Sequence, residues 1–223
     1  MASELKWFED VNLLRRRKRP WEIDPTKCAL LIIDMENEFL EGGATMEVPE
    51  GRNIVSAVKK TRDVCRKLRI PVIYTRMVHE EQGVAPRIYD LFPFLAGKAY
   101  QPNSHGVAIY PELAPIRGEK VIEKKNYSAF FETDLDVTIR GSRSSNGERD
   151  TLIFAGLVSH VCVEATLHDA FFRGYKLILA KVGCAGWDLE LHRATLKTVG
   201  NVYGMVMNCN EIIEALHRSK NEN

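Results

Sequence analysis

The chain has 223 residues, with 31 Lys and Arg against 30 Asp and Glu, and is 45% hydrophobic and 27% charged. That length and mixture describe one large domain, or at most two small ones, with a sizeable core, and they exclude a disordered chain. A net charge of +1 lacks the field of an obligate nucleic-acid binder, and no apolar run reaches the roughly 20 residues that cross a bilayer.

Residues 1–26 are expected to form an N-terminal arm, and residues 27–223 a single domain. Trp7, Phe8 and acidic residues precede the basic run Arg15-Arg16-Arg17-Lys18-Arg19. This is not the build of a secretory signal, so the expected location is cytoplasmic. The basic run suits either nucleic acid and nuclear addressing, or a solvated arm packing on a neighbouring subunit. The balanced charge of the remainder favours the second.

From Cys28 the pattern becomes regular. Cys28 to Ile33, ending at Asp34, is a continuous apolar run, as expected of a strand covered on both faces. Residues 52–68 place Ile54, Val58, Thr61, Cys65 and Leu68 on one helical stripe. Ile70 to Met77 predicts a second strand. Residues 83–118 hold Pro86, Pro93, Pro102, Pro111 and Pro115, and the irregular stretch 79–118 is expected to form a pocket wall. Lys120 to Glu123 predicts a short strand, followed by a helix over 133–140 with Thr133 as N-cap. Arg140 to Gly147 has the composition of a surface loop. A strand over Thr151 to Leu157 leads into a helix over 160–173, closed by Gly174. Then come a strand over Tyr175 to Val182, a helix over 188–199 and a strand over Tyr203 to Met207. Asn208 with Glu211 resembles a capping box opening a last helix. Alternating strands and helices predict a three-layer α/β/α sandwich around a mainly parallel, doubly wound sheet.

In such sheets ligands bind outside the carboxyl ends of the strands. Asp34, Lys124 and Cys162 stand at or just beyond three of these ends. A carboxylate, an ammonium and a thiol are what nucleophilic acyl chemistry requires. Cys162 in a first helical turn, with Lys124 nearby, is expected to have a lowered pKa. Singly, each residue has an ordinary reading: Asp caps turns, Lys is solvated and Cys is buried. The five cysteines are odd in number and form no CxxC pair, which argues against a disulfide framework or a thiolate zinc site.

Three segments carry a family resemblance. Leu31-Ile-Ile-Asp-Met-Glu-Asn-Glu-Phe39, Lys124-Lys-Asn-Tyr-Ser-Ala-Phe130 and Gly156-Leu-Val-Ser-His-Val-Cys-Val-Glu-Ala-Thr-Leu-His-Asp-Ala170 resemble, in order, the acid, lysine and nucleophile motifs of the isochorismatase-like cysteine hydrolases. The resemblance covers roughly residues 26 to 216. It implies a catalytic triad of Asp34, Lys124 and Cys162, and selects Lys124 over Lys125. It also implies a cis peptide bond at Leu157–Val158, and an oxyanion hole formed by the Val158 and Cys162 amides. Asn37, Phe39, Tyr127 and Phe131 match positions that line the family pocket, although each is also an ordinary packing residue.

The segment Cys162 to Phe172 looks most like ureidoacrylate, biuret and N-carbamoyl amide hydrolases. The expected reaction is therefore cleavage of a small amide, ureido or carbamoyl C–N bond through a thioester, with release of ammonia. Thr75-Arg-Met-Val-His79 lacks the Asp-x-His metal motif of nicotinamidases. No metal or other cofactor is expected, though His79 and His105 are candidate ligands. Alternatives are a nicotinamidase, an isochorismatase-type vinyl-ether hydrolase, or a non-catalytic binding protein of the same fold. Arg76 and Arg87 are candidates for a substrate carboxylate, with solvation the commoner reading. Trp187 is a candidate for the pocket or a subunit interface. The family further implies a homodimer or homotetramer, and the charge balance and lack of a long apolar run predict no nucleic-acid or membrane partner.

Overall fold

The structure is a computed structural model that describes residues 20–79, 87–141 and 148–221. Six strands form one sheet: β1 (Cys28–Ile33), β2 (Val72–Met77), β3 (Lys120–Lys124), β4 (Thr151–Gly156), β5 (Lys176–Cys184) and β6 (Met205–Met207). All pair in parallel, in the order β3-β2-β1-β4-β5-β6. Every residue of the central strands β1 and β4 is buried. This is why both read as unbroken apolar runs without polar alternation.

The helices are α1 (Asn37–Leu40), α2 (Gly51–Lys67), α3 (Ile88–Leu91), α4 (Leu135–Gly141), α5 (Glu164–Phe172), α6 (Leu189–Thr198) and α7 (Cys209–Asn221). Helices cover both faces of the sheet. On α2 the stripe Ile54, Val58, Thr61 and Cys65 is buried, and each such aliphatic side chain contributes about 1.5–3 kcal/mol of burial. Thr133 Oγ accepts the Leu135 amide at 3.2 Å ahead of α4. Asp188 caps α6 through the Leu191 amide at 2.8 Å, and Glu211 reaches back to the Asn208 amide at 2.7 Å.

Several boundaries differ from expectation. The helix expected from residue 160 opens as a π-helical turn over Ser159–Val163 before α5 begins. A second π-helical turn, Val199–Tyr203, extends α6, so β6 starts at Met205 rather than Tyr203. Lys124 is the last residue of β3, not the first beyond it. Of the expected arm, residues 1–19, including the basic run, lie outside the described residues. Residues 20–26 pack on the domain, with Ile23 in the core. In the predicted surface loop, residues 142–147 lie outside the described residues, as do residues 80–86 of the predicted pocket wall.

The strand order reverses beside β1, so β2 and β4 flank it on opposite sides and their carboxyl ends open a crevice. Ile33 pairs with Gly156 there. Gly156 has φ +126°, and a Cβ would lie 2.0 Å from the Ile33 carbonyl oxygen. Only glycine lets the two strand ends meet this closely.

Candidate active site

Asp34 follows β1 in the left-handed region, at φ 47°, which an aspartate tolerates better than most residues. Its carboxylate is fully buried. Thr75, in the neighbouring strand β2, donates its hydroxyl to Asp34 Oδ1 at 2.5 Å and accepts the Asp34 amide at 3.1 Å. Lys124 lies two strands away from Asp34, opposite Met77 in the β2–β3 register. Strands are spaced about 4.8 Å apart, so a side chain bridging two of them must be long and unbranched. The lysine stem passes Met77, with Nζ 3.9 Å from its sulfur. Nζ then meets Asp34 Oδ2 at 2.7 Å, the Asn126 carbonyl at 3.0 Å and Cys162 Sγ at 3.3 Å. The acid, the ammonium and the thiol, distant in sequence, thus share one cluster.

Cys162 occupies the π-helical turn after β4. The turn is tied to the lysine segment through Thr166: its hydroxyl donates to the Cys162 carbonyl at 2.6 Å and accepts the Ala129 amide at 3.0 Å. On the other side the Ser159 amide donates to the Ala185 carbonyl at 2.8 Å. Gly186 permits that approach, since a Cβ there would meet His160 at 2.7 Å. The Leu157–Val158 peptide bond is cis, and Val158 lies beside Cys162 at the base of a cavity.

The electrostatics overturn one expectation. The Cys162 thiol is not lowered but pushed up to about 12. Burial is the largest cause, and Asp34's charge and hydrogen bond add to it, while Lys124 opposes them. Burial also disfavours the charged form of Lys124, yet Asp34 and Cys162 outweigh it and raise the lysine, which stays an ammonium. Resting Cys162 is thus a thiol among charged partners. Cys65 and Cys184 are likewise pushed up to about 12 by burial. Among the five cysteines, only Cys162 lines the cavity.

The cavity measures about 310 Å³. Of the residues expected in the pocket, Phe39 and Tyr127 line it. Asn37 and Phe131 do not. The Asn37 amide instead donates to the His105 carbonyl at 3.0 Å, and Phe131 is half exposed in the turn after Tyr127. Trp187 also lines the cavity. Arg76 pairs with Glu123, and Arg87 with Asp90, outside it. Buried His79 bonds Tyr89 Oη at 2.7 Å, while His105 pairs with Glu41 near the surface. Among the described residues no group of three His, Cys, Asp or Glu is placed to hold a metal.

Sequence reasoning missed Thr75, Thr166, Tyr100 and Glu36. Glu36 is fully buried near Asp34: one oxygen accepts the Met77 amide at 2.7 Å and the other has no hydrogen-bond partner. Burial first, then Asp34's charge, raise its carboxyl well above the usual range. A carboxylate two residues from Asp34 was the available signal.

The isochorismatase domain family model matches residues 28–211. The ureidoacrylate amidohydrolase RutB of Acinetobacter baylyi is 27% identical, over 94% of this chain and 91% of that protein. A crystal structure of a cysteine hydrolase from Pseudomonas syringae pv. phaseolicola superposes with a TM-score of 0.85 at 27% identity, over 92% of this chain and 99% of that one. The N-carbamoylsarcosine amidase of Thermoplasma acidophilum superposes with a TM-score of 0.70 at 29% identity, over 82% and 97%.

Proposed function

The chain belongs to the isochorismatase domain family and is a hydrolase of amide C–N bonds; we propose that it cleaves a small amide, ureido or carbamoyl substrate through a thioester on Cys162, releasing ammonia or a small amine. The observation that carries this reading is the convergence of Asp34 Oδ2 at 2.7 Å and Cys162 Sγ at 3.3 Å on one buried ammonium, Lys124 Nζ.

The chemistry follows from the resting protonation. As Sγ attacks the substrate carbonyl, the thiol proton passes to Asp34, and Lys124 stabilises the sulfur while it carries charge. The carbonyl oxygen becomes an oxyanion facing the Val158 and Cys162 amides, and each such donor is worth roughly 2.7–4 kcal/mol at the transition state. The C–N bond then breaks, the nitrogen takes the proton from Asp34, and the amine leaves. Water attacks the thioester, Asp34 takes a water proton, and Sγ departs and regains it. Thr75 keeps the Asp34 carboxylate turned toward the sulfur throughout.

The test is ammonia release from a panel of ureido acids, biuret, carbamoyl amino acids and simple amides. Cys162→Ala is expected to lower kcat/KM by about 10⁴-fold or more, and hydroxylamine is expected to divert the wild-type acyl-enzyme to a hydroxamate. Undiminished activity in the variant would remove the mechanism.

A further inference from the structure

Resting on the amide-hydrolase reading, we propose that the substrate is an uncharged amide or urea whose non-reacting end is aromatic or aliphatic, and that carboxylate-bearing ureido acids are disfavoured. The motifs say nothing about this end of the substrate. It is set by the cavity wall away from the triad.

The lining includes Phe39, Met46, Ile88, Phe92, Phe94 and Trp187, all rings, thioether or hydrocarbon, with Thr45, Tyr100 and Tyr127 as its neutral polar members. Phe39 packs against Tyr100 and Trp187 at centroid distances of 5.9 and 6.3 Å. Phe92 and Phe94 meet edge to face at 6.1 Å and remain 40% and 52% exposed. An apolar ligand seated above Cys162 would cover these faces, and ring-on-ring contacts would hold it.

Among the described residues, no cation outside the triad lines this cavity, and the neighbouring cations are engaged. Lys124 is held by Asp34, Cys162 and the Asn126 carbonyl. Arg52 pairs with Glu47 at 2.8 Å and donates to the Leu40 carbonyl at 2.8 Å. Arg76 and Arg87 pair with acids outside the cavity. Buried His79 is held neutral, its pKa lowered to about 4 by burial and by Lys124. The charged side chain that lines the cavity is Glu47, an acid. A carboxylate entering this space would lose its water without gaining a partner, a cost that hydrocarbon does not meet. The reacting carbonyl needs no further cation, since the oxyanion donors are backbone amides in this reading.

The experiment uses two matched pairs on the full chain: hexanamide against adipamate, its analogue with a terminal carboxylate, and phenylurea against 4-carboxyphenylurea. Two readouts are taken, kcat/KM for ammonia release by the wild type and Kd by calorimetry on Cys162→Ala. In each pair the neutral member is expected to lead by about 100-fold in kcat/KM and at least about tenfold in Kd. Phe94→Arg, at a half-exposed position, is expected to raise kcat/KM for adipamate and lower it for hexanamide. Equal or tighter binding of the carboxylates, or no binding by any of the four, would overturn the proposal. Hydrolysis of the anionic members through Cys162 as fast as, or faster than, their neutral partners would leave the hydrolase reading standing and sink only the substrate class. Tight binding of the neutral members without turnover would do the reverse.

Discussion

The two ends of the sheet bury charge in opposite ways. At the amino end, buried Arg149 donates to the Thr26 and Cys28 carbonyls at 2.9 and 2.8 Å. Both of these hydrogen bonds go to backbone oxygens at or just before the start of β1. At the carboxyl end, Asp34, Glu36 and Lys124 are buried against one another and against Cys162, and one oxygen of Glu36 has no hydrogen-bond partner. Charge hydrogen-bonded to the main chain serves the fold. Charge arranged around a thiol, in a protonation state set by its neighbours, is a costly arrangement that packing alone does not require.

The sharpest way to break this contrast is Lys124→Met. It leaves Asp34 buried without its counter-ion, so a loss of about 3–5 kcal/mol in urea unfolding is expected. A fall of about 1,000-fold or more in kcat/KM should accompany it. Adding Asp34→Leu should recover much of the stability and none of the activity. If the double variant were active, the carboxyl-end cluster would be structural after all.

At the opposite end, Arg149→Met is expected to cost about 1–3 kcal/mol by removing two buried hydrogen bonds. Its kcat/KM per folded molecule should stay within about twofold, since nothing at that end touches the cavity. A large activity loss at unchanged stability would erase the distinction between the two ends.

Two gentler experiments use pH. Burial pushes the Cys162 thiol up to about 12, so its iodoacetamide labelling should climb steadily with pH and show no plateau below about 10. Lys124 lowers that value, so Lys124→Met should slow labelling further. A plateau near neutrality would mean that a thiolate already rests there. For Glu36, the folded chain keeps a proton that the unfolded chain releases. Its contribution to stability is therefore complete below the ordinary carboxylate range and declines as pH rises above it. Glu36→Gln should flatten the stability profile between about pH 4.3 and 7. An unchanged slope would mean that Glu36 is ionised in the native state.

The outline of the molecule was legible because local pattern and burial coincide. β1 and β4 are covered on both faces and read as apolar runs, and the α2 stripe repeats at helical spacing. Asp34, Lys124 and Cys162 stood out as polar interruptions at the ends of such runs. Thr75 did not, because its partner is a neighbour only through strand pairing. The π-helical turns were invisible since residue preference barely separates them from α-helix.

The order of residue types thus determined that this is a layered α/β chain with an acid, a lysine and a cysteine at strand ends. Tertiary structure alone decided that Asp34 and Cys162 meet Lys124 within 3.3 Å, that burial raises the thiol, and that Phe39, Phe92, Phe94 and Trp187 line the same cavity as the sulfur. The physical reason is the range of each effect. Periodicity is written within a few residues, whereas desolvation and pairing depend on which distant segments the sheet sets side by side.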